Sequence, residues 1–495
     1  MDSRFYITTP IYYVNDRPHI GHAYTTFAAD ALARWRRARD ENVLFTTGVD
    51  ENSQKTVDAA AKTGEDLRAY TDRLAELWES TWKQLGISNT DFIRTTEDRH
   101  TAVVNDIWTR IDAAGDLYRS RYEGWYCKGH EAFLSEDELT PDGLCPDHRV
   151  KPELVSEENY FFRLSKYRQP LLDFYAAHAD FVAPANRFRE VAAFVEAGLE
   201  DISFSRERKE GRAEWGIPVP GDSHQAIYVW ADALVNYISA IGLEGWEEHP
   251  ADVHAVGKDI LRFHAVIWPA MLMSAGLPLP GQVIANGFLT VDGVKMSKSL
   301  GNGVDPLDLA ARYGGGAAGI DAVRYFLLRE VPYGQDGDFS EAKMKERYNG
   351  DLANGLGNFA ARVLALAEKE TAARGFLAPP ISGADREFAN VLADLERAVD
   401  AKMGELRFHD ALASVWAAIA FGDRYVNEKK AWEIADDAAR NETLFNLVTL
   451  LSGIATVLVP FLPGTAQKIA YAIERSGDGT LKARKIEALF PRMAQ

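Results

Sequence analysis

The sequence predicts an α/β body built on a parallel sheet, a small knuckle inserted into that body, and an all-α domain behind it. Three features carry this reading. The first 50 residues run strand, glycine-bearing turn, helix, strand. Both cysteines of the chain, Cys127 and Cys145, fall within one stretch of short apolar pieces. Beyond Asp351 the pattern is alanine-rich and helix-periodic, with no strand signal.

FYITTPIYYV is apolar and β-branched, as a buried strand is, and the turn formers Asn15-Asp16-Arg17-Pro18 end it. Tyr24, Phe27, Ala28, Ala31, Leu32 and Trp35 recur every three or four residues, so a helix with one apolar face follows. NVLFTTGVD supplies the next strand. In a parallel βαβ unit ligands gather beyond the carboxyl ends of the strands, and both the Pro18–His22 loop and Asp50 fall at that edge. Trp125–Lys151 reads as the knuckle. The α/β pattern then resumes: Ala226–Gly242 reads as a helix, VHAVG as a strand, Lys258–Ala275 as a helix, and QVIANGFLTVDGVKM as strand, Asp-Gly turn, strand. RYGGGAAGID is low in complexity, and its glycines predict a mobile connection over 314–320.

The chain's 495 residues are enough for two to four domains. Lys and Arg number 55 against 73 Asp and Glu, a net charge of −18, so a polyanionic partner must be met by a local basic surface. Wholesale coating of nucleic acid is excluded. With 46% hydrophobic and 26% charged residues, disordered, collagen-like and coiled-coil classes are excluded too. Two cysteines rule out a disulfide framework and predict a reducing compartment. MDSRFYITTP carries no secretory pattern, so the expected location is cytoplasmic. The membrane-like window Leu444–Leu462 is broken by Asn446, Thr449, Ser452, Gly453, Thr456 and Pro460, and reads as a buried core helix.

His19-Ile20-Gly21-His22 stands where a strand hands over to a helix N-terminus, a place that attracts phosphate. Two imidazoles there can donate to charge developing on a phosphoryl group, while Gly21 lets a planar base approach the backbone. Alone, the pair reads first as two exposed polar residues at a helix start. Lys295-Met296-Ser297-Lys298-Ser299 follows the Asp-Gly turn and puts two lysines on a loop able to close over a polyphosphate; alone, such lysines are ordinary solvated surface. Trp230, Ala233, Leu234 and Tyr237 share one helical face by spacing, and Ile260, Phe263, His264 and Trp268 share another. Together they form either plain core or a deep apolar slot, whose aromatic walls suit a long, polarizable thioether. Asp50 is the natural anion for a substrate ammonium. Cys127-x2-His130 and Cys145-x2-His148 make a two-Cys, two-His set that suits tetrahedral, structural Zn2+; the alternative is two buried thiols and two surface histidines.

Taken together, HIGH and KMSKS resemble the paired signatures of the class I aminoacyl-tRNA synthetases. YITTPIYYVN, YVWADALVNY at 228–237, VGKDILRFHAVIWPAML at 256–272, YGQDGDFS at 333–340, GLGNFAAR at 355–362 and Trp432 of EKKAWEIA narrow the resemblance to the methionyl-tRNA synthetases over nearly the whole chain. The resemblance implies ATP-dependent activation of methionine, with Mg2+, to methionyl-adenylate and pyrophosphate, then transfer to methionine tRNA, initiator and elongator. It implies that His19, Gly21, His22, Lys295, Met296, Ser297 and Lys298 bind ATP, with His19, His22, Lys295 and Lys298 catalytic. Ile11, Tyr13, Trp230, Ala233, Leu234, Tyr237, Ile260 and His264 then line the methionine site, Asp50 takes the ammonium, and Asn358, Arg362 and Trp432 contact the CAU anticodon. An aromatic plane can stack an unpaired base, and Asn and Arg can bond base edges. Zinc is common in the family's insertion, usually with more cysteines.

On this footing residues 1–115 are the first half of a Rossmann-type catalytic domain, 116–215 a connective insertion with a zinc knuckle at 127–148, and 216–290 the second half. Residues 291–350 are then the KMSKS loop and stem-contact region, and 351–495 a helical-bundle anticodon-binding domain. The expected protein is a monomer with no membrane or DNA partner. The family's usual pattern is departed from at Asn52 and Asn286, where histidine is common, and at Leu234, where proline is. Two other readings are a class I synthetase for an aliphatic amino acid, against which the short insertion counts, and a non-catalytic paralogue that binds tRNA or methionine.

Overall fold

The computed structural model describes residues 4–127, 132–134, 136–146, 149–208, 215–296, 302–380 and 386–493. The chain forms two compact units. The first holds residues 1–18, 41–83 and 88–286, and the second holds 19–40, 84–87 and 287–495.

The first unit is organised by a six-stranded sheet. Its strands are β1 (Arg4–Tyr13), β2 (Asn42–Asp50), β3 (Asp91–Arg94), β4 (Val182–Ala183), β5 (Val253–Gly257) and β6 (Gln282–Asn286), in the order β3-β2-β1-β5-β6-β4. Every neighbouring pair is parallel. The strand order runs outward in opposite directions from β1 and β5, the arrangement that opens a ligand crevice at the strands' carboxyl ends. Near-continuous apolar sequence makes β1 a central strand, since both its faces are covered. Pro10 has no N–H to give the ladder, and the β1–β2 register shifts between Thr8 and Ile11. Gly48 is required by its neighbour: a Cβ there would stand 2.1 Å from the Ile93 carbonyl oxygen. Tyr12 stacks on Trp78 at 4.9 Å between ring centroids, closing one side of the core.

Between β3 and β5 the chain also builds a separate antiparallel sheet. Leu117–Cys127 pairs with Ala132–Leu134 on one side and Glu153–Phe162 on the other, and Ile202–Ser203 extends it.

The second unit is mainly helical. Helix Ile20–Arg37 belongs to it, with Pro306–Arg312, Gly316–Glu330, Asn358–Arg374, Arg386–Gly404, Phe408–Lys429, Asp437–Leu458 and Pro463–Ala472. Asp437–Leu458 is long and apolar enough to cross a membrane by length and composition, yet 61% of its apolar window is buried inside the protein. It serves as a core helix.

Five expectations need correction. Ala226–Gly242 is not one helix: a strand continues to Ile227, and Val229–Ala233 and Asn236–Ser239 are separate short helices. Hydrogen bonds there switch to the i−3 pattern, as in Val235 N–H to the Asp232 carbonyl. Lys258–Ala275 is helical but contains a π-turn at Phe263–Ile267. QVIANGFLTVDGVKM yields three strands, since β6 ends at Asn286 and only Leu289–Val291 and Val294–Lys295 form the hairpin, across Asp292 (φ 49°) and Gly293 (φ 77°). The glycine run is an ordered turn rather than a mobile link. Gly314, Gly315 and Gly316 all have positive φ, and a helix starts at once; Gly319 lies so close to Pro306–Arg312 that a Cβ would be 2.0 Å from the Ala310 carbonyl oxygen. Finally, the C-terminal region holds a small hairpin, Ile473–Arg475 with Leu481–Ala483, turned by Ser476-Gly477-Asp478-Gly479-Thr480.

Candidate active site

The residues expected to line an amino-acid slot lie in the first unit. Tyr13 at the end of β1 is in register with Asp50 at the end of β2, and Ile11 is in register with Gly48. Being two apart on one strand, Ile11 and Tyr13 point to the same face. Lys55 sits over the Tyr13 ring at 4.5 Å. Trp230 and Phe263 stack face to face at 3.8 Å, joining the two segments predicted to form the slot. Tyr237 and His264 join them again, with 2.6 Å between the hydroxyl and Nε2. Ala233, Leu234, Tyr237 and His264 are buried, whereas Trp230 and Ile260 are partly open.

The polar groups of this slot have defined roles. His264 Nδ1 is 2.9 Å from the Ile260 carbonyl, which can only accept, so Nδ1 carries the proton and Nε2 accepts from the Tyr237 hydroxyl. Burial lowers the His264 pKa to about 4 and pushes the Tyr237 phenol well up, so both are neutral at ordinary pH. Tyr6 donates to the Tyr237 carbonyl at 2.8 Å and secures that turn to β1. Trp268 donates to His254 Nε2 at 3.2 Å, which leaves His254 Nδ1–H for Thr8 at 2.7 Å. His264 lies inside the π-turn Phe263–Ile267, one turn on from Ile260.

A polar chain behind this slot escaped sequence reasoning. Asn52 donates from its backbone to Asp50 at 3.0 Å and from its side chain to Asp232 at 2.8 Å. The other Asp232 oxygen lies 2.5 Å from His100 Nε2, and His100 Nδ1 lies 2.9 Å from Ser239 Oγ. These residues are up to 189 positions apart in sequence, so no spacing rule links them.

The phosphate-type signatures lie in the second unit. His19 is the N-cap of helix Ile20–Arg37, and its Nδ1 accepts from the Gly21 N–H at 3.1 Å. His22 Nδ1 accepts from the His19 N–H at 3.1 Å, closing a capping box made of histidines. With Nδ1 accepting in both neutral rings, each carries its proton on Nε2. The rings stack at 3.7 Å. A Cβ on Gly21 would lie 3.1 Å from the Met296 methyl carbon, so the two signature motifs meet there. The Ile20 N–H also donates to the Val304 carbonyl at 2.9 Å. Lys295 ends the hairpin opposite Thr290. Ser297 and Lys298 lie outside the described residues. Asp338 accepts from Thr290 Oγ1 at 2.6 Å and Gly293 N–H at 2.7 Å, which holds its carboxyl below the usual range and staples the hairpin.

In the helical region Asn358 is exposed at the start of Asn358–Arg374. Arg362, one turn on, donates to Asn427 at 2.8 Å. Trp432 follows the end of that same partner helix, Phe408–Lys429, and is 51% exposed, unusual for so large an aromatic. In the insertion Cys127 and Cys145 are buried in one small cluster with Leu134. Cys145 N–H donates to Val150 and Arg149 N–H to Cys145, both at 2.9 Å, with Arg149 at φ 53°: a tight knuckle. His130 and His148 lie outside the described residues.

Comparison with known proteins identifies the family. The family of class I tRNA synthetases (M) matches residues 5–152 and 142–364. A methionine–tRNA ligase of Caldanaerobacter subterraneus is 43% identical, the match covering 100% of this chain and 79% of that protein. One of Mesorhizobium japonicum is 45% identical, covering 94% and 90%. The solved structure of Mycobacterium tuberculosis methionyl-tRNA synthetase with methionyl-adenylate superposes with a TM-score of 0.92 at 37% identity, over 99% of this chain and 100% of that one. A parallel-sheet body with these signatures, continuous with such relatives along nearly its whole length, belongs to the methionine–tRNA ligases, the class I tRNA synthetases for methionine.

Proposed function

We propose that the chain joins methionine to methionine tRNA, initiator and elongator, in two steps. The methionine carboxylate attacks the α-phosphorus of ATP and pyrophosphate leaves; a ribose hydroxyl of the terminal adenosine then attacks the acyl carbon and AMP leaves. One observation carries the first step: the His19–His22 pair, whose Nδ1 atoms are both taken by backbone N–H groups, so that two Nε2–H donors stand at a helix N-terminus. Donors fixed before reaction stabilise charge developing on phosphate without reorganising. Gly21, Met296 and Ser297 complete the ATP contacts, and Lys295 and Lys298 neutralise the departing pyrophosphate.

Asp50 holds the substrate ammonium, and Ile11, Tyr13, Trp230, Ala233, Leu234, Tyr237, Ile260 and His264 enclose the thioether. The neutral state of His264 supports this, because a charged imidazolium would oppose both burial and an apolar ligand. Mg2+ enters with the nucleotide, bound mainly through phosphate oxygens; among the described residues no group of three or more His, Cys, Asp or Glu forms a ready-made cage. Asn358, Arg362 and Trp432 read the anticodon, which the exposed indole supports.

The two buried cysteines and the tight turn at Cys145 fit a structural Zn2+ held by Cys127, His130, Cys145 and His148. Bound there, the metal supplies local folding energy and no chemistry. We place the protein in the cytoplasm as a monomer. ATP–pyrophosphate exchange with each amino acid tests the whole reading: methionine alone should drive it, and exchange driven by another amino acid, or by none, overturns it.

A further inference from the structure

Ser239, His100 and Asp232 are arranged like a hydrolase triad, with ring-nitrogen distances of 2.9 and 2.5 Å. They cannot work as one. Ser239, His100 and Asp232 are 4%, 0% and 1% exposed, so no substrate reaches the hydroxyl, which in addition donates to the Val235 carbonyl at 3.1 Å. A carboxylate only accepts, so His100 Nε2–H donates a hydrogen bond to Asp232, and the ring orients the carboxylate.

The two oxygens of Asp232 are divided. One takes His100, and the other takes the Asn52 amide at 2.8 Å. The second hydrogen of that amide is directed at the Thr95 carbonyl, 3.3 Å away. Asn52 is thereby held at both ends, and its backbone N–H reaches Asp50 at 3.0 Å. Asp232 also lies within Val229–Ala233, between Trp230 and Ala233. A single buried carboxylate thus touches both the strand end that carries Asp50 and the turn that carries the slot's aromatic wall.

We propose that His100 and Asp232 are positioning residues for the amino-acid site, acting through Asn52 to set the Asp50 carboxylate against the Trp230–Ala233 turn. This rests on the reading that Asp50 binds the methionine ammonium. Asn52 serves here as a donor to Asp232, a role that a histidine side chain could also fill. Either side chain can donate to Asp232, so the position requires a donor rather than an imidazole. Leucine there would leave one Asp232 oxygen without this donor.

The test is steady-state ATP–pyrophosphate exchange on the full chain, with KM measured separately for methionine and ATP. Asn52→Leu changes a half-buried residue and spares the His100–Asp232 pair; it should raise the KM for methionine about tenfold or more while leaving that for ATP within about twofold. Asp232→Asn should do the same, because its one remaining acceptor oxygen cannot serve both the Asn52 amide and His100 Nε2–H. Asn52→His should recover most of the loss seen in Asn52→Leu. If Asp232→Asn does not fold, as judged by its melting curve, the Asn52 pair alone decides. An unchanged KM for methionine in Asn52→Leu, an equal rise in both KM values, or failure of Asn52→His to recover function overturns the proposal. Absence of methionine-dependent exchange in the wild-type protein would instead overturn the proposed function itself.

Discussion

Arg324 and Asp30 form an ion pair 2.7 Å apart with neither side chain exposed to solvent. Arg324 also donates to the Phe461 and Pro460 carbonyls at 3.0 and 2.9 Å, and Asp30 receives Arg34 at 2.8 Å. Helix Ile20–Arg37, which begins with the histidine pair, is thereby fastened to Gly316–Glu330 and to the chain beyond Leu458. Removing one partner strands a buried charge, at a cost of about 3–5 kcal/mol, whereas replacing both by apolar groups is far milder. Arg324→Met should lower the melting temperature and urea midpoint strongly, and Arg324→Met with Asp30→Leu should recover much of the loss. Equal destabilisation by the single and double variants would argue against this account.

Acid should destabilise the core around Tyr237, His254 and His264. The His264 pKa falls from 6.5 to about 4 through burial. Between these values the unfolded chain binds a proton that the native chain refuses, so this contribution to stability is complete above about 6.5 and fades as pH falls toward about 4. The loss is about 3 kcal/mol at most. His254, also pushed down by burial, steepens the same slope. Urea midpoints measured from pH 7 to 4.5 should decline, and His264→Gln should flatten the decline while lowering stability at pH 7.

Loss of either signature should abolish activation without unfolding the chain. His22→Ala, Lys295→Ala and Lys298→Ala should each reduce methionine-dependent exchange by about 10²-fold or more, the usual effect of losing a transition-state donor. Melting temperatures should stay near wild type. Nearly normal exchange in all three would remove these residues from the reaction.

Purified protein should carry one zinc per chain by elemental analysis. Cys127→Ser should lose it and make the insertion more sensitive to protease, since a structural metal is local folding energy. A zinc content near zero in protein prepared without chelators would return the knuckle to an apolar cluster.

Trp432→Ala should impair aminoacylation of tRNA and spare ATP–pyrophosphate exchange, which needs no tRNA. Stacking on an aromatic is worth about 1–3 kcal/mol per base, so the KM for tRNA should rise about 10-fold or more. Normal charging would exclude the indole from anticodon binding.

Legibility in the sequence followed locality. FYITTPIYYV and NVLFTTGVD announce themselves because a strand buried on both faces is apolar throughout, and the helix between them because its apolar residues keep one period. Val229–Ser239 misleads for the opposite reason: nearly every side chain is buried, so no face stands out and the break at Leu234–Val235 leaves no trace in hydrophobicity. Gly314–Gly316 resembles a flexible linker until the packing of Gly319 on Ala310 is seen. The short Ile473–Arg475 hairpin was signalled by its Gly-Asp-Gly turn and obscured by the helices before it. At the site, the signatures and the two halves of the slot were readable as short spacings. The Asn52–Asp232–His100 chain was not, because only the folded sheet brings those residues within 3 Å.

The π-turn at Phe263–Ile267 also sets a rule for anyone editing this chain. A π-turn fits one more residue into a turn than an α-helix does, so it shifts the angular address of everything downstream by roughly 100°. Deleting one residue between Phe263 and Ile267 would restore a regular helix and, in doing so, re-address Trp268–Ala275 wholesale. Trp268 would swing away from His254, and side chains now buried would face new neighbours. A chimera that trades this segment with another chain must therefore count residues through the wide turn, not match apolar positions by eye.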